Sequence, residues 1–163
     1  MKGITLILGP TCSGKDYLAK QMLHERQATN HIDIGQIVRE ISQTTARIHN
    51  TSFDKLIISQ LRSYLLNISS ATEDYHVVIT GIRQKTIVDW IFDVHGLSGV
   101  SIVWLDVLES ELKRRFESRD NKKEQLTFEE VLKRDATLGL EEVEQYVKDL
   151  SLTKIRRYAS NTL

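Results

Sequence analysis

The chain's tightest constraint lies at residues 9–16, Gly9-Pro10-Thr11-Cys12-Ser13-Gly14-Lys15-Asp16. An apolar run, Ile4-Thr5-Leu6-Ile7-Leu8, precedes it, and a helical pattern from Tyr17 to Leu23 follows. Strand, glycine-framed loop and helix, in that order, are the setting that a G-x-x-x-x-G-K phosphate loop requires. The glycines let the backbone turn tightly, so that successive N–H groups converge on one anion. The start of the helix adds unpaired N–H groups and a partial positive charge. Lys15 adds a full charge for the β- and γ-phosphates of a nucleoside triphosphate. Gly9, Thr11, Cys12, Ser13, Gly14, Lys15 and Asp16 are therefore the expected nucleotide contacts.

Asp16 stands where the motif usually places Ser or Thr, whose hydroxyl takes Mg²⁺. A carboxylate is also a hard oxygen ligand, which makes Asp16 the expected metal residue. Its competing role is to cap the helix, where Asp is favoured. Cys12 is the single cysteine, so no intramolecular disulfide can form, and a cytoplasmic setting is expected. Near a helix start its thiol is either an oxidisable group or, the stronger expectation, an inert loop side chain.

A length of 163 residues implies a single domain with a proper core. Lys plus Arg and Asp plus Glu number 22 each. That balance argues against nucleic acid or membrane as a partner. No apolar run reaches membrane-spanning length. Along the chain, helical spacing predicts helices over Ser13–Glu25, Gly35–Ala46, Phe53–Ile68, Thr86–Val94, Glu109–Asp120 and Glu141–Leu150. Thr51 and Thr127 read as helix-capping residues, with Asp54 and Glu130 as their acidic partners. Strands are expected at Ile4–Leu8, His31–Ile34, Tyr75–Thr80, Val100–Val107 and Ile155–Ala159. Their alternation with helices implies an α/β fold, a five-stranded parallel sheet covered on both faces. Ligands bind such sheets at the strands' C-terminal ends. Those junctions are rich in arginine. Arg39 and Arg83 lie just past strand ends, and Arg114, Arg115, Arg119 and Arg134 follow on later helices. Arginine suits phosphoryl transfer because its fork holds phosphate bidentately and stays charged. For Arg114 and Arg115 the other expectation is a solvated helix face.

These motifs give the chain a resemblance to the nucleoside monophosphate kinases among P-loop kinases. Its Gly-Lys-Asp loop resembles that of phage-type deoxynucleoside monophosphate kinases. Ile34-Gly35-Gln36-Ile37-Val38-Arg39 resembles the family's segment that contacts the acceptor monophosphate, and Thr80-Gly81-Ile82-Arg83 its second acceptor-phosphate segment. Arg115-Phe116-Glu117-Ser118-Arg119 resembles the entry to a mobile lid, and Arg134 its return. The resemblance implies a P-loop kinase fold with a short helical lid over approximately 115–138, within one domain spanning 1–163. It implies ATP and Mg²⁺ as cofactors and a monomer or homodimer. Lys15, Arg83, Arg115, Arg119 and Arg134 would act in transfer, and Asp33, Gly35, Arg39, Gly81 and Arg83 would bind the acceptor. Thr80 departs from the pattern, since adenylate-kinase-like members carry Asp there. Two alternatives stay open. A hydroxyl acceptor resembling shikimate, gluconate or dephospho-coenzyme A would use Asp33 as base or hydrogen-bond partner, and a catalytically weak module would only bind nucleotide.

Overall fold

The computed structural model describes residues 2–42, 51–119, 126–150 and 153–158. Five strands form one sheet in the order β2-β3-β1-β4-β5, namely β1 (Lys2–Leu8), β2 (Asn30–Asp33), β3 (Tyr75–Thr80), β4 (Val100–Val107) and β5 (Thr153–Tyr158). Every neighbouring pair is parallel. The expected α/β architecture and strand count are thus observed. The order follows from composition. β1, β3 and β4 are near-continuous apolar runs, so they occupy the centre, where both faces are buried. The shorter β2 and the partly exposed β5 take the edges.

One face is covered by α1 (Lys15–His24), with Leu18 and Ala19 packed on Ile7, Val78, Val103 and Leu105. The other carries α2 (Ile34–Ser42), α3 (Thr51–Ala71), α4 (Lys85–His95) and α7 (Leu140–Lys148). There Ile37, Ile57, Leu61, Ile87, Ile91 and Val143 pack with Leu6, Ile79 and Trp104. A third cluster joins α5 (Glu109–Glu117) and α6 (Phe128–Leu138) to the glycine-framed loop through Cys12, Leu112, Phe116, Phe128 and Val131.

Several boundaries move for local reasons. The helix expected from Ser13 begins at Lys15, because Gly14 takes the left-handed conformation at φ 97°. β2 ends at Asp33, and Ile34 already opens α2. The Thr127 capping box forms as expected: the hydroxyl accepts from Glu130 N–H, and the Glu130 carboxylate accepts from Thr127 N–H. The Thr51 cap falls on side chains outside the described residues. Asp54 is buried and accepts a hydrogen bond from Thr86 at 3.0 Å. Residues 43–46 of the second expected helix, residues 120–125 of the expected lid and Ala159 also lie outside the described residues. No described helix is long and apolar enough to cross a membrane.

Candidate active site

Parallel pairing brings the C-terminal ends of β1, β2, β3 and β4 to one edge, so the loop at 9–14, Asp33, Thr80–Gly81 and the start of α5 gather there. At the loop, Lys15 Nζ donates to the carbonyls of Gly9 (3.0 Å) and Pro10 (2.7 Å). Burial, and then the charge of Arg83, lower its pKa to about 8, while Asp135 and Asp16 pull it back up. The folded value lies below the ordinary 10.5, so a protonated Lys15 costs stability, and stability rises as pH climbs from about 8 towards 10.5. Phosphate binding runs the other way, since it needs the charge. The kcat/KM for a nucleoside triphosphate is therefore expected to fall above about pH 8. In Lys15→Arg that alkaline limb should move up, and an unmoved limb would assign it to another group.

Asp135 was not anticipated. It interrupts the apolar stripe Phe128, Val131, Leu138 of α6 and is 2 % exposed. A charged residue inside such a stripe was the available sequence signal. Its Oδ2 accepts from Thr11 N–H (2.9 Å) and the Thr11 hydroxyl (2.8 Å), and its Oδ1 accepts from Arg83 Nε (2.7 Å). Burial alone would push its pKa up; the Arg83 charge and the two Thr11 donors prevail and hold it below the ordinary carboxylate value. Arg83 Nη2 also donates to Thr11 Oγ1 at 3.2 Å. The structure thus sets Arg83 against the loop and α6.

Arg115 lies on the loop's other side. Its Nη1 donates to the Cys12 carbonyl at 3.2 Å and its Nε to Glu111 at 3.0 Å. Its buried Nη2 has no hydrogen-bond partner among the described residues. An orphaned guanidinium donor beside a phosphate loop suits an incoming anion. Hydrogen bonds from Arg114, and then Arg115, hold Glu111 down to about 2. Arg114 therefore spends its fork on Glu111 at 2.6 Å (Nη2) and 2.9 Å (Nε), in keeping with a helix-face role. Arg119 is exposed, yet it exerts the largest charge effect on the Cys12 thiol, which places it near the loop. Arg134 is half-buried, one residue before Asp135 on α6. Cys12 itself packs in the α5–α6 cluster, and burial raises its pKa, so the inert expectation fits.

The second hollow lies past β2 and β3. Asp33 Oδ1 accepts from Gly35 N–H at 2.9 Å, and its Oδ2 lies 3.6 Å from Arg39 Nη2, a guanidinium that is half-exposed. Gly81 (φ 82°) presses its backbone against them; a Cβ there would stand 2.7 Å from Asp33 Oδ1 and 3.1 Å from Gly35 N. A side chain at φ 82° is strained as well. On the sequence expectation that Gly81 faces an acceptor, Gly81→Ala should raise the acceptor KM about tenfold, equivalent to about 1.4 kcal/mol, and leave the nucleotide KM within about twofold. Equal shifts in both would remove Gly81 from the acceptor side.

Asp16 projects from the start of α1, its side chain 67 % exposed. Its Oδ1 accepts from the hydroxyl of the buried Thr80 at 3.3 Å. A carboxylate and a hydroxyl oxygen side by side form a donor set that fits a hard divalent cation. A cleft of about 320 Å³ also opens beside Pro10, over Trp104 and Asp106. Glu109, Glu141 and Glu144 rim it, so like charge disfavours phosphate there.

Comparisons with known proteins bear on the family and the fold. The model of a family described as AAA domain matches residues 5–144. Comparison with curated protein sequences returns no match. Among solved structures, a gluconokinase from Sinorhizobium meliloti 1021 is 14 % identical, with a TM-score of 0.65 over 98 % of this chain and 84 % of that one. A shikimate kinase from Bacteroides thetaiotaomicron is 16 % identical, with a TM-score of 0.62 over 96 % of this chain and 87 % of that one. A chain of the Pnkp1/Rnl/Hen1 RNA repair complex is 15 % identical, with a TM-score of 0.65 over 99 % of this chain and 50 % of that one. Such likeness establishes the fold, a P-loop kinase fold.

Proposed function

Because the chain belongs to the AAA domain family of P-loop proteins, we propose that it is an ATP- and Mg²⁺-dependent small-molecule kinase. Its acceptor in this proposal is a nucleoside or deoxynucleoside monophosphate. The observation that carries the proposal is the convergence of Lys15, Arg83 and Arg115 on one glycine-framed loop at the strand ends. Phosphoryl transfer is catalysed chiefly by positioning and by charge stabilisation. In this mechanism Lys15 leaves the Gly9 and Pro10 carbonyls and engages the β- and γ-phosphates with the loop N–H groups. Arg115, with its spare Nη2 donor, and Arg83, held by Asp135, flank the group in flight. Arg119 and Arg134 close over it and exclude water, which would otherwise accept the phosphoryl group. Asp16 would hold Mg²⁺, which would supply charge neutralisation to the phosphates there. Arg39 grips the acceptor's phosphate above Gly35 and Gly81.

A specific observation supports a second acceptor class. Arg83 is engaged with Asp135 and Thr11, while Asp33 offers its carboxylate at the acceptor hollow. That arrangement suits a hydroxyl acceptor with Asp33 as base. The solved gluconokinase and shikimate kinase act on acceptors of that class. The deciding experiment measures ADP release from Mg-ATP with each common ribo- and deoxyribonucleoside monophosphate, then with gluconate, shikimate and dephospho-coenzyme A. Acceleration by one monophosphate that survives Asp33→Asn supports the first acceptor. Acceleration by a hydroxyl compound that is lost in Asp33→Asn supports the second. ATP binding with no acceleration by any acceptor would leave a nucleotide-binding module and overturn the kinase proposal.

A further inference from the structure

The cation site of a phosphate loop is ordinarily assembled from two places. A hydroxyl follows the loop lysine, and a carboxylate ends a neighbouring strand. In this chain both positions are occupied by the other's residue type. The carboxylate, Asp16, follows Lys15, and the hydroxyl, Thr80, ends β3. Either change alone would leave two like groups. Together they leave one carboxylate and one hydroxyl, 3.3 Å apart.

The surroundings of Thr80 are specific. The residue is fully buried, and His31 Nε2 lies 2.8 Å from its hydroxyl. His31 comes from β2, two residues before Asp33, which pairs with Thr80 across the sheet. His31 Nε2 is 4.0 Å from Asp16 Oδ1. The hydroxyl hydrogen goes to the Asp16 carboxylate. With that hydrogen directed at Asp16, Nε2–H donates to the Thr80 oxygen. A hydroxyl oxygen has two lone pairs. One takes Nε2–H and the other is left for a cation. A hydroxyl held from both sides is oriented before any ligand arrives, as outer partners of metal ligands are.

Building on the phosphate-loop function proposed above, we infer that Asp16 and Thr80 form a transposed cation site. Asp16 supplies the charged oxygen from the helix and Thr80 the neutral oxygen from the strand, in exchange of the ordinary places. His31 is a positioning residue that sets the lone-pair direction of Thr80. Asp16 and Thr80 are then matched to each other: replacing Asp16 by the usual Thr, without changing Thr80, removes the site's carboxylate and does not repair the loop.

The test reads metal binding directly. Mn²⁺, a paramagnetic stand-in for Mg²⁺, is titrated into the full chain with ADP and free Mn²⁺ is followed by electron paramagnetic resonance. Binding of a fluorescent ADP analogue in EDTA measures the loop without metal. Asp16→Asn, Thr80→Val and His31→Leu are each expected to weaken Mn²⁺ binding about tenfold or more, and in Thr80→Val and His31→Leu metal-free nucleotide binding should change by less than about threefold. Because Asp16 and Thr80 share one ion, the double variant Asp16→Asn/Thr80→Val should lose little beyond the worse single variant. The reciprocal variant Asp16→Thr/Thr80→Asp should regain most of the lost affinity. Should burying a new carboxylate unfold that protein, the Asn/Val cycle decides alone. Unchanged Mn²⁺ affinity in Asp16→Asn or Thr80→Val, or additive losses in the cycle, overturns the transposed site while the phosphate loop stands. A wild-type chain that binds no nucleotide in EDTA overturns the loop function, and the transposed site falls with it.

Discussion

Lys15→Ala lowers phosphotransfer by at least about tenfold, and towards the 10²- to 10³-fold loss that follows removal of one charge-stabilising donor. The chain stays folded, because the substitution removes a charge whose protonated form is penalised by burial. What it loses is Nζ bonding to the Gly9 and Pro10 carbonyls, at 3.0 and 2.7 Å. Steady-state ADP release with the accepted substrate, next to far-ultraviolet circular dichroism, tests both halves. Wild-type turnover in a folded Lys15→Ala protein would remove the loop from the mechanism. Unfolding would make Lys15 a structural residue first.

Asp135→Ala is expected to be the most destabilising change at the site. The carboxylate and Arg83 are 3 % and 13 % exposed and meet at 2.7 Å. Removing one partner of a buried pair leaves the other charge uncompensated, at a cost of about 3 kcal/mol or more. Thr11 N–H loses its acceptor as well. Asp135→Asn keeps an oxygen for Thr11 and should cost about 1–2 kcal/mol. Urea unfolding at neutral pH measures both. The Asp135 pKa is depressed in the folded state, so its contribution is complete above the ordinary 3.8 and fades as pH falls through the lower folded value. The gap between wild type and Asp135→Ala should therefore narrow only in strong acid. A change below about 0.5 kcal/mol in Asp135→Ala would mean that α6 is not fastened to the loop through this carboxylate.

Asp135 also marks a difference between kinds of sequence signal. The loop was legible because its chemistry is local. Glycine spacing, the lysine and the flanking strand and helix all fall within 25 residues of one another. The arginines at strand ends were legible as a set, because parallel sheets gather those ends on one edge. Their partners were not. Arg83 and Asp135 are 52 residues apart, Thr11 and Asp135 124 apart, and Arg115 and the Cys12 carbonyl 103 apart. Nothing in the spacing of Arg39 and Arg83 told that one would face Asp33 and the other the loop. His31 likewise read as an ordinary strand residue until β2 came to lie beside β3 and brought its ring to Thr80.

Hydrophobic periodicity and the glycine-framed loop were enough by themselves to determine a five-stranded parallel α/β protein with an anion site after its first strand. Each depends on residues within one element or on adjacent elements, where the chain's own geometry fixes what faces what. Tertiary structure alone decided the long-range partners: Asp135 with Arg83, Arg115 with the Cys12 carbonyl, and Asp16 with the Thr80 hydroxyl. The physical reason is range. A side chain chooses its partner by packing and hydrogen bonding within a few ångströms, and neighbours at that distance are set by strand order and helix docking.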